Sequence, residues 1–330
     1  MSGSDARLNG ALMLGILMVL TAGVMLGEVA FSAGDYARAL TDPGSPEAEV
    51  LWQVRLPRSL VALLVGASLG LAGAVLQGLL RNPLADPGVL GVSSSAASGA
   101  ALAIIAGLAM VPGAVEVAAM AGAGAAAGLL MAFAARIRAP EALILFGVAL
   151  SSLTGALTAL IFNLSPTPVA TAEVMNWLLG SVQNRSFTDV AWLAPLLAIA
   201  LVSGLVAGRG LRMLTLGEEV AATSALPMRR LKLVALFAAA LAAGAATAVA
   251  GIIGFVGLIA PHLVRALVRS DPHRLLVPAS LAGALMLALA DVLVRLIPSE
   301  QELKLGVIMA LVGAPLFALI AAHAARGWRT

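Results

Sequence analysis

The stretch LVALFAAALAAGAATAVAGIIGFVGLIAPH, from Leu233 to His262, decides the fold of this chain. It contains no charged residue, and its 30 residues exceed the roughly 20 that one membrane-spanning helix needs but are few for two. Gly251, Gly254 and Gly257 interrupt the stretch, and Pro261 should kink any helix that contains it. Hydropathy alone is therefore compatible with either nine or ten membrane helices.

The composition of the whole chain excludes a soluble protein. Of 330 residues, 61% are hydrophobic and only 11% are charged, whereas a soluble domain carries about 25% charged residues. The mean hydropathy is +1.01. There is no cysteine, which excludes disulfides and thiolate metal sites, and the three histidines are scattered. We therefore expect an all-α integral membrane protein without a metal centre or cofactor.

Further apolar segments of about 20 residues predict the remaining helices. The first is interpreted as an uncleaved helix, because its apolar run is long for a signal peptide. Two long outer loops are predicted at Phe31–Ser59 and Ser165–Asp189, the second with a short surface helix at Thr171–Val182. The predicted spans are Leu8–Ala30, Leu60–Leu80, Val89–Val111, Ala114–Ala134, Ala142–Leu164, Val190–Ala207, Val277–Ile297 and Leu305–Ala324.

The basic residues favour ten helices. With ten helices and both termini cytoplasmic, the inner side holds 14 of the 20 Lys and Arg residues and the outer side holds 6, as the positive-inside rule expects. If the Leu233–His262 stretch forms a single helix, the division becomes 11 against 9 and the bias nearly disappears. The sequence therefore predicts ten helices with both termini cytoplasmic.

No energy source is visible in the sequence. A phosphate-binding loop needs Gly-Lys followed by Ser or Thr, but Lys232 and Lys304 are the only lysines and each is followed by Leu. Ionisable residues are almost absent from the spans, which disfavours proton or sodium coupling. Asp291 and Arg295, four residues apart on one helix face, are expected to neutralise each other. We expect a non-enzymatic transport subunit whose partner supplies energy; an ion-coupled carrier is the distant alternative.

Several segments together resemble one family, the permease subunits of bacterial ABC importers for ferric siderophores, haem and vitamin B12 (the FecCD/BtuC-like family). The resemblance runs from about Val54 to the C-terminus. It rests on the order and spacing of Arg55-Leu-Pro-Arg58, Leu71-Ala-Gly-Ala-Val-Leu-Gln77, Asn82-Pro-Leu-Ala-Asp-Pro-Gly88, Leu216-Gly-Glu218, Gly254-Phe-Val-Gly-Leu-Ile-Ala-Pro-His-Leu-Val-Arg265, Leu289-Ala-Asp291 and Gly313-Ala-Pro315.

The resemblance implies the type II ABC importer permease fold, with residues 1–330 as a single transmembrane domain. It also implies a homodimer, two cytoplasmic ABC ATPase subunits below it and a periplasmic substrate-binding protein above it. Nucleic acid is not an expected partner.

The resemblance also implies roles for residues at both membrane faces. Arg55, Arg58 and Arg295 are expected to dock carboxylates of the binding protein, although snorkelling to the interface would also explain arginines there. Asn82 and Leu84 are expected to form a cytoplasmic gate with their symmetry mates, although Asn-Pro and Asp-Pro also favour a plain tight turn.

The inner loop 208–232 resembles the family's ATPase-coupling element, although a solvated amphipathic loop would also fit its composition. The family usually has Gly where Ala225 stands, which puts the geometry of the turn in question. The expected coupling residues are Gly217, Glu218, Glu219, Ala221, Ala222, Ala225, Leu226 and Pro227.

The cargo is expected to be a large iron chelate, most favourably haem. The segment that ends in Asn184-Arg185-Ser186 resembles the haem branch of the family, and Lys304 stands where the family usually has Pro. Arg185 and Lys304 would add positive charge at the mouth of the route, suited to haem propionates. Ferric siderophores and vitamin B12 are the alternatives.

Overall fold

The computed structural model describes residues 3–27, 29–137, 139–215, 217, 227–297 and 302–327, and side chains within 5–319. All the regular secondary-structure elements in these ranges are helical. They are α1 (Gly3–Met25), α2 (Ala33–Thr41), α3 (Pro46–Glu49), α4 (Leu56–Leu80), α5 (Val92–Ile105), α6 (Ala114–Ala134), α7 (Pro140–Asn163), α8 (Pro168–Leu178), α9 (Phe187–Leu214), α10 (Met228–Ala250), α11 (Val256–Arg265), α12 (Pro272–Arg295) and α13 (Leu305–Gly327).

The described residues contain the ten apolar helices that the sequence predicts. Seven are long and apolar enough to cross a membrane, and three are shorter apolar helices: Val92–Ile105, Val256–Val268 and Leu305–Leu319. The Leu233–His262 stretch contributes two of the ten, because α10 ends at Ala250 and α11 starts at Val256. Gly251, with φ of +70°, ends α10 in a conformation that only glycine adopts easily.

Several predicted boundaries are wrong. The helix predicted from Leu60 begins at Pro46 and passes through a π-helical segment, Val50–Arg55, into α4. The predicted inner loop 208–232 is shorter, because α9 continues to Leu214 and α10 begins at Met228. Charged residues lower a hydropathy average, but Arg and Met are good helix formers, so the helices continue past the apolar window.

The short helix in the second outer loop is α8, three to four residues earlier than the predicted Thr171–Val182. Its start follows from local chemistry. The Thr167 side chain accepts a hydrogen bond from the backbone N–H of Ala170 at 3.2 Å, and Pro168 occupies the first helical turn.

Two antiparallel helices, α4 and α12, form the centre of the bundle, and α4 also packs against α9, α10 and α11. Small residues allow the close approach. A Cβ atom added to Gly66 would lie 2.2 Å from the carbonyl oxygen of Gly283, and one added to Gly283 would lie 2.2 Å from that of Gly66. In a membrane, such backbone contact is a main source of helix association.

Hydroxyl groups join α5 to α7. The Ser98 hydroxyl lies 2.8 Å from the Thr158 hydroxyl and donates to the Thr154 carbonyl at 2.8 Å. The Thr154 hydroxyl donates to Ser94 Oγ at 2.8 Å. Apart from Ser95, the other buried residues of these two helices are apolar or glycine, so these bonds supply the polar contacts between them.

Candidate functional sites at the two ends of the bundle

Charged side chains gather at the two ends of the bundle, which we call the Asp5 end and the Arg58 end. At the Asp5 end, the buried Asp5 carboxylate at the start of α1 accepts from Arg274 at the start of α12, with Arg274 Nε 2.8 Å from Asp5 Oδ2. Nearby, Arg212 Nε lies 3.4 Å from Asp271 Oδ2. These pairs join α1, α9 and α12.

At the Arg58 end, Arg58 binds two carboxylates. Its Nε and Nη2 donate to Asp291 Oδ1 at 3.0 and 2.7 Å, and its Nη1 donates to Glu302 Oε2 at 2.9 Å. The side chains of Arg58, Asp291 and Glu302 are 12%, 2% and 6% exposed. This guanidinium is therefore largely enclosed and already neutralised.

Arg295 shares the carboxylate of Asp291, which confirms the predicted neutralising pair on α12. Arg295 also donates through Nη1 to the Gly23 carbonyl at 2.8 Å and through Nη2 to Ser59 Oγ at 3.2 Å. Its side chain is 4% exposed. The charge group thus connects α1, α4 and α12 at their common end.

Arg55 holds the end of α1. Its guanidinium donates to the carbonyls of Met25, at 2.8 Å, and of Val24 and Val29. It also lies 4.5 Å from the ring centroid of Phe31, within cation–π distance. Arg55 is 5% exposed, and the helix C-terminus it binds carries the partial negative charge that favours a cation.

These contacts give Arg55 and Arg295 clear structural roles. Both side chains are enclosed and hydrogen-bonded within the protein, so neither presents a free guanidinium to a partner. Arg58 is the most exposed of the three. It could bind a carboxylate of a partner protein only if that carboxylate replaced Glu302. Docking by these arginines remains a prediction.

The two residues expected at the substrate mouth line one recess. A cavity of about 360 Å³ is bounded by Glu173, Trp177, Arg185 and Lys304, with backbone from the end of α10. Arg185 Nη1 also lies 3.2 Å from Glu116 Oε1 and 3.3 Å from Asp189 Oδ1. Because these carboxylates balance Arg185, the remaining charges of the recess are the cation Lys304 and the anion Glu173.

The segment with the expected gate residues, between α4 and α5, forms a tight turn. The Asn82 side-chain oxygen accepts the backbone N–H of Leu84 at 2.9 Å, and the Ala85 N–H donates to the Asn82 carbonyl at 3.1 Å. Asp86 Oδ1 accepts from the Gly88 N–H at 2.7 Å. Burial raises the pKa of Asp86, and this hydrogen bond opposes the shift. Both gate residues are half-buried, and a gate role remains a prediction.

Of the expected coupling residues, Gly217 and Pro227 are described, and Glu218, Glu219, Ala221, Ala222, Ala225 and Leu226 lie outside the described residues. Gly217 has φ of +106°, and Pro227 directly precedes α10. The described residues contain no group of three or more His, Asp or Glu side chains that could hold a metal ion.

Sequence reasoning missed two features of these ends. Glu302 pairs with Arg58 across 244 positions of sequence, and no local pattern signals such a contact. Gln77 is buried near the end of α4 and accepts from the Arg265 guanidinium. The single amide in the apolar second half of α4, from Leu69 to Leu80, was the available signal for it.

Comparison with known proteins agrees with this architecture. The sequence profile of the FecCD transport family matches residues 13–323. The uncharacterized ABC transporter permease protein YvrB of Bacillus subtilis is 40% identical over 287 residues, covering 85% of this chain and 81% of YvrB. The vitamin B12 import system permease protein BtuC of Escherichia coli O139:H28 is 39% identical over 318 residues, covering 94% and 93%.

A solved structure of an ABC transporter classed as metal-chelate type, in an inward-facing conformation, superposes with a TM-score of 0.86 at 30% identity. The match covers 96% of this chain and 99% of that one. The helices therefore form the type II ABC importer permease fold. This chain belongs to the FecCD transport family.

Proposed function

We propose that the chain is the membrane-spanning permease subunit of an ABC importer that carries a large metal chelate from periplasm to cytoplasm. Family membership over residues 13–323 carries the proposal. ATP would be hydrolysed by two partner ATPases, because the chain has no phosphate-binding loop. A second copy of the chain and a periplasmic binding protein complete the proposed assembly.

The buried charges support this assignment over an ion-coupled carrier. Among the described residues, the four most buried charged residues are Asp5, Arg55, Asp291 and Arg295. Each is bound within the protein at one end of the bundle. Carriers that use protons or sodium need ionisable groups that bind and release the ion within the membrane, and these four are engaged in structural contacts.

We propose haem as the cargo, because Lys304 brings a cation to a recess beside α8 that could face a propionate. Vitamin B12 is the second candidate, because BtuC, 39% identical, belongs to a vitamin B12 import system. A ferric siderophore is the third.

Cargo-stimulated ATP hydrolysis distinguishes the candidates. The chain would be reconstituted in liposomes with its ATPase and binding protein, and haem, cobalamin and a ferric siderophore would be added separately. Stimulation by haem, reduced in Lys304→Glu, is the expected result. Stimulation only by cobalamin or by the siderophore would reject haem, and transport by the isolated chain without ATP would reject the importer itself.

A further inference from the structure

Gln77 occupies the meeting point of three segments. It is 2% exposed, and its Nε2 lies 3.4 Å from the Ala85 carbonyl oxygen, 3.5 Å from that of Gly257 and 3.4 Å from that of Leu258. The three contacts join the end of α4 to the turn before α5 and to the first turn of α11. An amide with two N–H groups shares them among these acceptors.

One of these acceptors is left without its usual helical donor. In an α-helix, the carbonyl of Gly257 would accept the backbone N–H of residue 261, but residue 261 is proline and has no N–H. An unpaired buried carbonyl is costly inside a membrane protein. The Gln77 side chain supplies a donor where Pro261 removes one.

Arg265 determines how the amide is oriented. Its guanidinium donates to Gln77 Oε1, and a guanidinium can only donate. The oxygen of the amide must therefore face Arg265, which directs Nε2 to the three carbonyls. Arg265 lies two turns after Gly257 on α11, so one side chain of α4 binds both the start and the end of that helix.

The packing around Gln77 leaves little room for adjustment. A Cβ atom on Gly73, one turn before Gln77, would lie 1.7 Å from the Gly257 carbonyl oxygen. A Cβ atom on Gly257 would lie 2.8 Å from Pro87 Cδ in the turn before α5. The three segments are thus in direct contact, and a shift of one must displace the others.

We propose that Gln77 is a positioning residue that fixes the turn between α4 and α5, including Asn82 and Leu84, to the start of α11. The turn and α11 then keep a fixed position relative to the end of α4. The consequence for transport rests on the proposed gate role of the turn, whereas the positioning itself does not.

Thiol protection measures the position of the turn directly, because the chain has no cysteine. Ala85 is 8% exposed, so the thiol of an Ala85→Cys variant should react slowly with a maleimide. Adding Gln77→Glu keeps the size and the contact with Arg265 but replaces the donor with a carboxylate that repels the carbonyls. We expect labelling of the full-length protein to become at least tenfold faster.

Two further variants make the result specific. Ser68→Ala removes a buried hydroxyl of α4 whose hydrogen bond among the described residues stays within its own helix, to the Leu64 carbonyl, and should leave the labelling rate unchanged. Pro261→Ala restores an N–H for the Gly257 carbonyl, so it should recover part of the protection lost in Gln77→Glu. Equal labelling of Ala85→Cys with and without Gln77→Glu would overturn the proposal.

Transport by the reconstituted complex separates positioning from gating. We expect Gln77→Glu to lower cargo uptake per ATP hydrolysed at least fivefold, with Ser68→Ala unchanged. Faster labelling with unchanged uptake per ATP would overturn the gate role of the turn and leave the positioning role of Gln77 in place.

Discussion

At the scale of single residues, Asp291 is the most consequential charge in the bundle, because it contacts both Arg58 and Arg295 while being 2% exposed. Asp291→Asn would leave Arg295 without a carboxylate partner among the described residues and Arg58 with Glu302 alone. Removing one partner of a buried ion pair costs about 3–5 kcal/mol. We expect a clear fall in the melting temperature of the detergent-purified protein.

Arg38→Gln is the matched control for Asp291→Asn. Arg38 pairs with Asp35 and Glu47, but its side chain is 62% exposed. Exposed ion pairs contribute little, because water and salt screen them. The melting temperature of this variant should equal that of the parent. If Asp291→Asn also had the melting temperature of the parent, the buried charge group would not be stabilising.

Glu302 offers a test of docking at the Arg58 end. Its carboxylate occupies Arg58 Nη1 at 2.9 Å, where a carboxylate of the binding protein would have to bind. Glu302→Gln removes the negative charge that competes for Arg58 inside the protein. We therefore expect the affinity for the binding protein to rise about threefold to tenfold. Arg58→Gln should lower it. Affinity is measured with the complex in nanodiscs at low salt.

Arg55 is unsuited to the same experiment, because its guanidinium binds the end of α1. Arg55→Glu would place a carboxylate against carbonyl oxygens and disturb the fold, so a loss of docking in that variant would be uninformative. Glu302→Gln and Arg58→Gln with unchanged affinity would exclude docking through Arg58.

At the scale of helices, the crossing of α4 and α12 depends on backbone contact. Gly66→Ala would put a methyl group 2.2 Å from the Gly283 carbonyl oxygen, and the crossing would have to widen. We expect a loss of folded yield and a lower melting temperature. Gly10→Ala in α1, with no neighbour within 4 Å of the added Cβ, should be neutral or slightly stabilising, since alanine favours helix by about 1 kcal/mol over glycine.

The sequence predicts helices better than it predicts their ends. The two-helix interpretation of Leu233–His262 was correct because the sides of the membrane on which basic residues along the whole chain lie depend on how many helices separate them. The start at Pro46 was missed because charged residues such as Glu47 and Glu49 hide a helix from a hydropathy average. The pairing of Asp291 with Arg295 was predicted correctly because side chains four residues apart on a helix are neighbours.

Contacts between distant segments could not be predicted in this way. Arg58 and Asp291 are 233 residues apart, and only the packing of α4 against α12 brings them together. The same holds for Arg265 and Gln77, which are 188 residues apart. The motifs that contain these residues indicate the family of the chain, but which residues contact each other depends on how the helices pack.

At the scale of the whole molecule, the orientation in the membrane is the prediction to test first. Basic residues predict that the Asp5 end faces the cytoplasm. A Thr41→Cys variant, exposed at the end of α2, and a Thr215→Cys variant, exposed directly after α9, provide single thiols at opposite ends. In a Gram-negative host with a permeabilised outer membrane, an impermeant maleimide should label Thr41→Cys in intact cells and Thr215→Cys only after lysis. The reverse pattern would invert the topology.

The ion pairs at opposite ends of α12 also have a mechanical meaning. Asp5 with Arg274 braces α12 to α1 at one end, and Asp291 with Arg58 braces it to α4 at the other. A rod held at both ends cannot tilt or slide without breaking a brace. We therefore expect α1, α4 and α12 to act as a stationary frame during transport, and the large displacements to occur in helices outside it, such as the hydroxyl-linked pair α5 and α7.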